Sequence, residues 1–227
     1  MPDQLMNVRI DVNTKVYLKD PNSSELGRQI LSQSLPMIDK LGVEHFTFRK
    51  LALQIGTTES SIYRYFENKH KLLLYYVSWY WGWVEYNIAF GTVNISDPEE
   101  RLLKALEIMT SEITVLEQCP FDVDVLQHVI VSESSKAYLT KQVDDENKVG
   151  LFAQYKSLVG RLSQLILDCA PKYPYAHTLA SLFVESQLDQ RYFAEHLPSL
   201  SDIGKDGKGQ YQFYQSLIFN AISSWKK

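Results

Sequence analysis

Residues 47–69 read TFRKLALQIGTTESSIYRYFENK, and the reading of this stretch decides the fold. Phe48, Leu51, Ala52 and Ile55 recur at the spacing of one helical face, and Ile62, Tyr63 and Phe66 do the same for a second short helix. Gly56 stands where the first helix must end, at the position where a left-handed residue costs least, and Thr57 or Thr58 supplies a cap for the next. Ala52, the smallest inward side chain, lets the second helix cross close to the first. Two short helices sharing one apolar seam across a tight turn make a helix-turn-helix.

The solvent side of the second helix carries the chemistry. Thr58, Glu59, Ser60 and Ser61 are short polar groups of the kind that reach base edges and phosphates when a helix enters a major groove end-on. Arg64 and Tyr65 follow one turn later, and Lys69 adds a phosphate-directed cation. Residues 47–76 carry Arg49, Lys50, Arg64, Lys69 and Lys71 against Glu59 and Glu67, a local net of +3 in a chain whose net is −4. From periodicity and charge alone, an ordinary helical hairpin with a solvated face and a DNA-reading unit both remain open.

The run Thr47, Phe48, Leu51, Ala52, Gly56, Ser60, Ser61, Ile62, Tyr63, Tyr65, Phe66, Asn68, Lys69 and Leu72 resembles the signature of the TetR family of bacterial transcriptional regulators, ending in a Tyr-x-x-Phe-x-x-Lys at Tyr63, Phe66 and Lys69. The likeness covers residues 23–76. It implies that Thr58, Glu59 and Ser60 approach bases while Thr47, Ser61, Tyr63 and Lys69 hold phosphates. It also implies a homodimer on a palindromic double-stranded DNA operator, and a C-terminal domain that binds a small, apolar effector. Glu59 keeps a second reading open, a helical protein-interaction module without specific DNA binding, because an acid in the reading turn repels phosphate unless it meets a cytosine amino group or caps its helix.

Composition agrees with a regulator of ordinary make. At 227 residues, 45% hydrophobic and 22% charged, the chain can bury a sizeable core in one or two domains. No apolar run approaches the roughly 20 residues that span a bilayer, and the first residues lack the apolar core of a signal peptide, so no membrane partner and a cytoplasmic location are expected. Residues 1–70 carry net +1 and residues 71–227 net −5, so only the first part suits a polyanion. Cys119 and Cys169 lack paired spacing and read as buried reduced thiols.

The chain divides, on this reading, into an N-terminal arm (1–22), a helix-turn-helix domain (23–70) and a helical ligand-binding and dimerisation domain (71–227), an all-α protein throughout. The arm alternates apolar and polar residues, as a short strand or extended segment does, and either lays Arg9, Lys15 and Lys19 along DNA or packs by Val16 and Leu18. Asn22 and Glu25 form a capping box for a helix running to Leu41 and closed by Gly42, with a kink expected at Pro36. Later helices are expected at 69–90, from Pro98 to Glu117, from Asn147 to Cys169, from Tyr175 to His196 and from Gln210 to the C-terminus, the last two forming the dimer seam.

No Gly-rich phosphate loop, Gly-x-Ser-x-Gly, His-Glu-x-x-His or Cys-x-x-Cys is present, so neither an enzyme, a cofactor nor a metal is expected. Asp122, Asp124 and His128 read as a capped helix start rather than a metal cluster. The aromatic helix offers Trp79, Trp83, Tyr86 and Phe90 at spacings of three or four, an arrangement suited to lining an effector cavity with Gln127 or His128 as polar partners, or to filling core.

Overall fold

The computed structural model describes residues 10–112, 119 and 121–226. Ten α-helices and no strand occur among them. They are α1 (Glu25–His45), α2 (Phe48–Ile55), α3 (Glu59–Tyr63), α4 (Lys69–Thr92), α5 (Pro98–Thr110), α6 (Val123–Glu133), α7 (Val143–Lys148), α8 (Ala153–Cys169), α9 (Ala176–His196) and α10 (Gln210–Ile222). The chain forms two compact units, 1–82 with 113–153 and 83–112 with 154–227, so the division falls inside α4. Residues 121–153, expected with the C-terminal helices, fold with the N-terminal ones.

In the first unit, Ile30, Leu31, Leu35 and Ile38 of α1 are wholly buried, together with Phe46, Leu51, Ile62, Phe66 and Leu72. Every residue of α4 from Leu72 to Trp81 is buried, as the ring of aromatics on that helix requires. Tyr76 hydrogen-bonds the Leu31 carbonyl and the Ser34 hydroxyl at 2.7 Å each, and burial pushes its phenol well above the usual range. That satisfied hydroxyl fixes how α4 lies on α1.

The first helix starts on Ser24, whose hydroxyl accepts from Gly27 N–H, two residues later than the Asn22 box. Its interruption is at Gly42 (φ 71°, ψ 152°), as expected for its close. Inside α1 no other non-helical backbone occurs, so Pro36 does not break it. Pro36 sits on the solvent face, where the carbonyl it orphans can meet water. The arm has no strand among its described residues: two short 3-10 turns, Thr14–Val16 and Pro21–Ser23, bring Val16 into the core while Leu18 stays 67% exposed. Arg9 lies outside the described residues.

In the second unit α5 begins on Asp97, whose carboxylate accepts from Glu100 N–H. It stops at Thr110, seven residues before the expected end. The hydroxyls of Thr110 and Ser111 turn back to the carbonyls of Leu106 and Glu107, and Arg191 of α9 caps the carbonyls of Thr110 and Ser111 at 2.8 and 3.1 Å. Ile113 and Leu116, assigned to this helix from sequence, lie outside the described residues. The helix expected from Asn147 is divided at Gly150, whose carbonyl accepts from the Asn13 side chain at 2.8 Å. Tyr214 of α10 packs its ring on Phe183 of α9, 4.8 Å between centroids, at the centre of this unit.

Candidate nucleic-acid interface

Thr47 opens α2 by accepting from Lys50 N–H at 3.2 Å, and Gly56 (φ 66°) closes it in the left-handed conformation that a glycine adopts without strain. Thr58 then opens α3 by accepting from Ser61 N–H. Its hydroxyl also meets Ser60 Oγ at 2.9 Å and Ser61 Oγ at 2.8 Å. One donor and two lone pairs are thereby filled, so Thr58 acts in the unbound protein as a cap, while both serines keep hydrogen-bonding capacity to spare. Thr47, by contrast, retains its hydroxyl proton to donate.

Thr47, Arg49, Thr58, Ser60, Tyr63 and Arg64 are exposed, and Glu59, Ser61 and Lys69 half-buried. Tyr63 leans edge-on against Phe48, 5.1 Å between ring centroids, and its hydroxyl donates to Glu59 Oε1 at 3.4 Å. The acid that argued against DNA thus has a partner on its own helix, and lies in the first turn, where the helix dipole favours a negative charge.

Tyr65 is corrected: it does not belong to the reading surface. It is 3% exposed, its hydroxyl bonded to Ser24 at 2.7 Å and Lys19 Nζ at 3.3 Å. The reason is local. The third helix ends at Tyr63, and Tyr65 N–H closes a tight turn onto Ile62 O at 2.8 Å, so the helical period no longer places Tyr65 beside Ser61. Lys19 lies over the Tyr65 ring at 5.0 Å, and Leu18 N–H donates to Tyr65 O. The arm therefore buttresses the exit of α3, a role readable from sequence only through the single aromatic it grips.

Lys69 Nζ donates to Glu44 O at 2.6 Å and to Phe46 O at 3.3 Å, and Lys50 Nζ donates to His45 O at 2.8 Å. Two ammonium groups thus neutralise the negative end of α1 just before Thr47. Lys50 was not singled out from sequence as a site residue, and its spacing after Thr47 was the available signal.

Of the residues nominated for an effector cavity, Trp79 packs edge-on to Phe121 at 4.9 Å, Gln127 is half-buried and His128 exposed, all in the first unit. In the second unit Trp83 is buried and stacks on Tyr86 at 5.8 Å, which stacks on Phe90 at 6.1 Å, but Phe90 is 71% exposed. Two clefts stand out, and neither is lined by these six residues. One, of about 500 Å³ in the second unit, does use α4, but through Glu85, Ala89, Thr92 and Val93, facing Arg101 of α5 and Arg161 and Asp168 of α8. Ion pairs Arg101–Asp168 at 3.1 Å and Arg161–Glu85 run along it, with Ile95 and Leu165 as apolar wall. The other, of about 350 Å³, lies in the first unit beside Lys69. Asp122 caps α6 through Asp124 and Val125 N–H, and among the described residues no three His, Cys, Asp or Glu converge as a metal site. No described helix is long and apolar enough to cross a membrane.

Residues 30–76, the span from mid-α1 to mid-α4, match the model for bacterial regulatory proteins of the tetR family. No curated protein matches the chain. Among solved structures, AibR in complex with isovaleryl coenzyme A and operator DNA superposes with a TM-score of 0.56 at 16% identity, over 86% of this chain and 98% of that one. The ketosteroid transcriptional regulator KstR2 of Mycobacterium tuberculosis gives a TM-score of 0.49 at 15% identity, over 97% of this chain and 99% of that one. The first likeness extends the shared fold well past the helix-turn-helix. The family likeness is thus carried by residues 30–76, and the likeness of fold by the wider superposition on AibR.

Proposed function

We propose that this protein is a cytoplasmic transcriptional repressor that binds a palindromic operator as a homodimer and releases it when a small molecule occupies the C-terminal unit. The observation that carries the reading is the outer edge of α3, where Ser60 and Ser61 keep free hydrogen-bonding capacity beside exposed Tyr63 and Arg64, within the span that matches the family. Ser60 and Glu59 read bases; Thr47, Arg49, Ser61, Tyr63, Arg64 and Lys69 hold phosphates. AibR, crystallised with both isovaleryl coenzyme A and operator DNA, supports a fold that accommodates both kinds of partner.

A dimer is supported by apolar side chains left outside on the two helices nominated for the seam. Leu182 on α9 and Phe213 on α10 are 53% and 49% exposed, and Leu217 lies one turn beyond Phe213. The cleft of about 500 Å³ between α4, α5 and α8 is the proposed effector site. Its mixed wall of paired charges and apolar groups suits a molecule with an apolar body and a polar end. An effector there contacts α4, the helix that continues from the DNA-reading unit.

A mobility-shift assay on DNA retained from the source genome, run at two salt concentrations, tests the reading. Sequence-preferring, salt-sensitive binding whose preference changes in Ser60→Ala is expected. Binding without sequence preference, or none, sinks it and leaves the protein-interaction module.

A further inference from the structure

We propose that the cleft beside Lys69 in the first unit is a binding site for a small amphiphilic monocarboxylate, and that its occupant loosens the helix-turn-helix directly. The cleft measures about 350 Å³, at the low end of the roughly 300–1,000 Å³ of small-molecule sites. Its apolar wall is built by Val43 at the end of α1 and Leu73 of α4, both buried, with Leu139 at the rim, 78% exposed. Leu139 is an apolar side chain that a ligand's hydrocarbon would remove from water.

The charged groups of the lining are Lys69, Lys136 and Glu44, beside His70. Lys69 and Lys136 both line the cleft, and His70 stands between α4 and the buried Glu146, its Nε2 3.0 Å from both carboxylate oxygens. Lys136 Nζ is bound to Glu133 at 3.0 Å and reaches Glu44 at 3.7 Å, and its side chain is 40% exposed, so it has room for a further acceptor. Glu44, the acid of the lining, turns its side chain to water, 73% exposed. An apolar wall beneath two ammonium groups selects a molecule with a hydrocarbon body and one anionic head.

Occupancy acts on DNA binding through Lys69. Its ammonium holds the carbonyls of Glu44 and Phe46, the last before Thr47 opens α2. A carboxylate drawn to Lys69 competes with those carbonyls and neutralises a cation assigned to phosphate. The DNA consequence rests on the proposed function; the binding itself does not.

Octanoate is the probe, with octanol as its uncharged counterpart, titrated calorimetrically into the full chain and, separately, into the chain on operator DNA. Ser135→Trp plugs the cleft from an exposed lining position, and Lys136→Gln removes one ammonium without touching residues assigned to DNA. The expected result is saturable octanoate binding, lost in Ser135→Trp, weakened about tenfold in Lys136→Gln, with octanol binding at least as poorly as that variant. Operator affinity should fall with octanoate in the wild type only. Equal octanoate binding in Ser135→Trp, equal binding of octanol, or no binding at all would overturn the site. If the chain binds no operator, calorimetry still decides this proposal, and only the regulator reading fails.

Discussion

Lys69→Ala is expected to produce two separable losses, because one ammonium group serves two ends. In the free protein it donates to Glu44 O at 2.6 Å and Phe46 O at 3.3 Å. A hydrogen bond from a charged donor contributes about 1.5–3 kcal/mol when well buried, and a cation at a helix C-terminus about 0.3–1 kcal/mol when exposed. Lys69 is half-buried, which places its loss at about 1–2 kcal/mol, a fall in Tm of about 2–8 °C for a chain of this size. The third N–H of the ammonium remains for a phosphate. Each phosphate contact contributes about 0.9 to the slope of log K against log salt, so a dimer lacking two such contacts flattens by about 2. Fluorescence anisotropy with labelled operator across a salt series reads the second loss, and thermal unfolding reads the first. Lys69→Arg should keep the salt slope while disturbing the carbonyl clamp, since a planar guanidinium does not fit two carbonyls set for an ammonium. If Lys69→Ala lowers Tm but leaves the slope unchanged, Lys69 is only a clamp and the phosphate assignment is refuted; if it changes which sequence is preferred, the division between phosphate and base contacts is refuted.

Tyr65→Phe deletes the hydroxyl that meets Ser24 and Lys19, so unfolding free energy should fall by about 1 kcal/mol while operator preference in a binding-site selection stays the same; an altered preference would return Tyr65 to the reading surface. Phe213→Glu combined with Leu217→Glu places charges on the outer face of α10, and sedimentation should show monomers whose operator affinity is lower by about 10²–10⁴-fold; a stable dimer would move the seam elsewhere. Burial pushes the thiols of Cys119 and Cys169 up to about 11 each, so each carries about a hundredfold less thiolate at neutral pH than an ordinary cysteine. Alkylation of the native protein by iodoacetamide should therefore be slow at pH 8 and accelerate as pH rises toward that value.

What was legible in the sequence was what the chain decides locally. The seam of α2 and α3, the left-handed Gly56, the cap at Thr58 and the burial of α4 from Leu72 to Trp81 follow from spacing and from side chains acting on their own backbone. What was not legible depends on partners far away in sequence. The end of α5 is set by Arg191, eighty residues on, which caps the Ser111 carbonyl. The split between α7 and α8 is held by Asn13 on Gly150. Tyr65 shows a subtler limit: helical periodicity was carried two residues past the end of α3, where the chain tightens into a turn and the next side chain points inward.

The placement of residues 121–153 with the N-terminal unit has a physical cause in two buried carboxylates, and that cause bears on what the DNA-reading unit is. Glu133 at the end of α6 accepts from Val43 N–H at 3.3 Å, taking up a backbone donor just after Gly42 interrupts α1, and pairs with Lys136 at 3.0 Å. Glu146 of α7 binds Lys71 Nζ at 3.0 Å and sits equally close to His70, both in the first turn of α4. Buried acids are costly unless paired, and removing one partner from such a pair costs about 3–5 kcal/mol, so these contacts specify an arrangement more than they add stability. They grip the end of α1 and the start of α4, the two helix ends between which α2 and α3 are strung. A chain trimmed to the expected boundary at residue 70 would strand Gly42 and Val43 without Glu133, and would cut α4 within its first turn. The reading helix is therefore positioned from both flanks by α6 and α7, and the cleft that Lys136 and Leu139 help to line lies on one of those flanks, which is why a ligand there would reach DNA binding without crossing to the second unit.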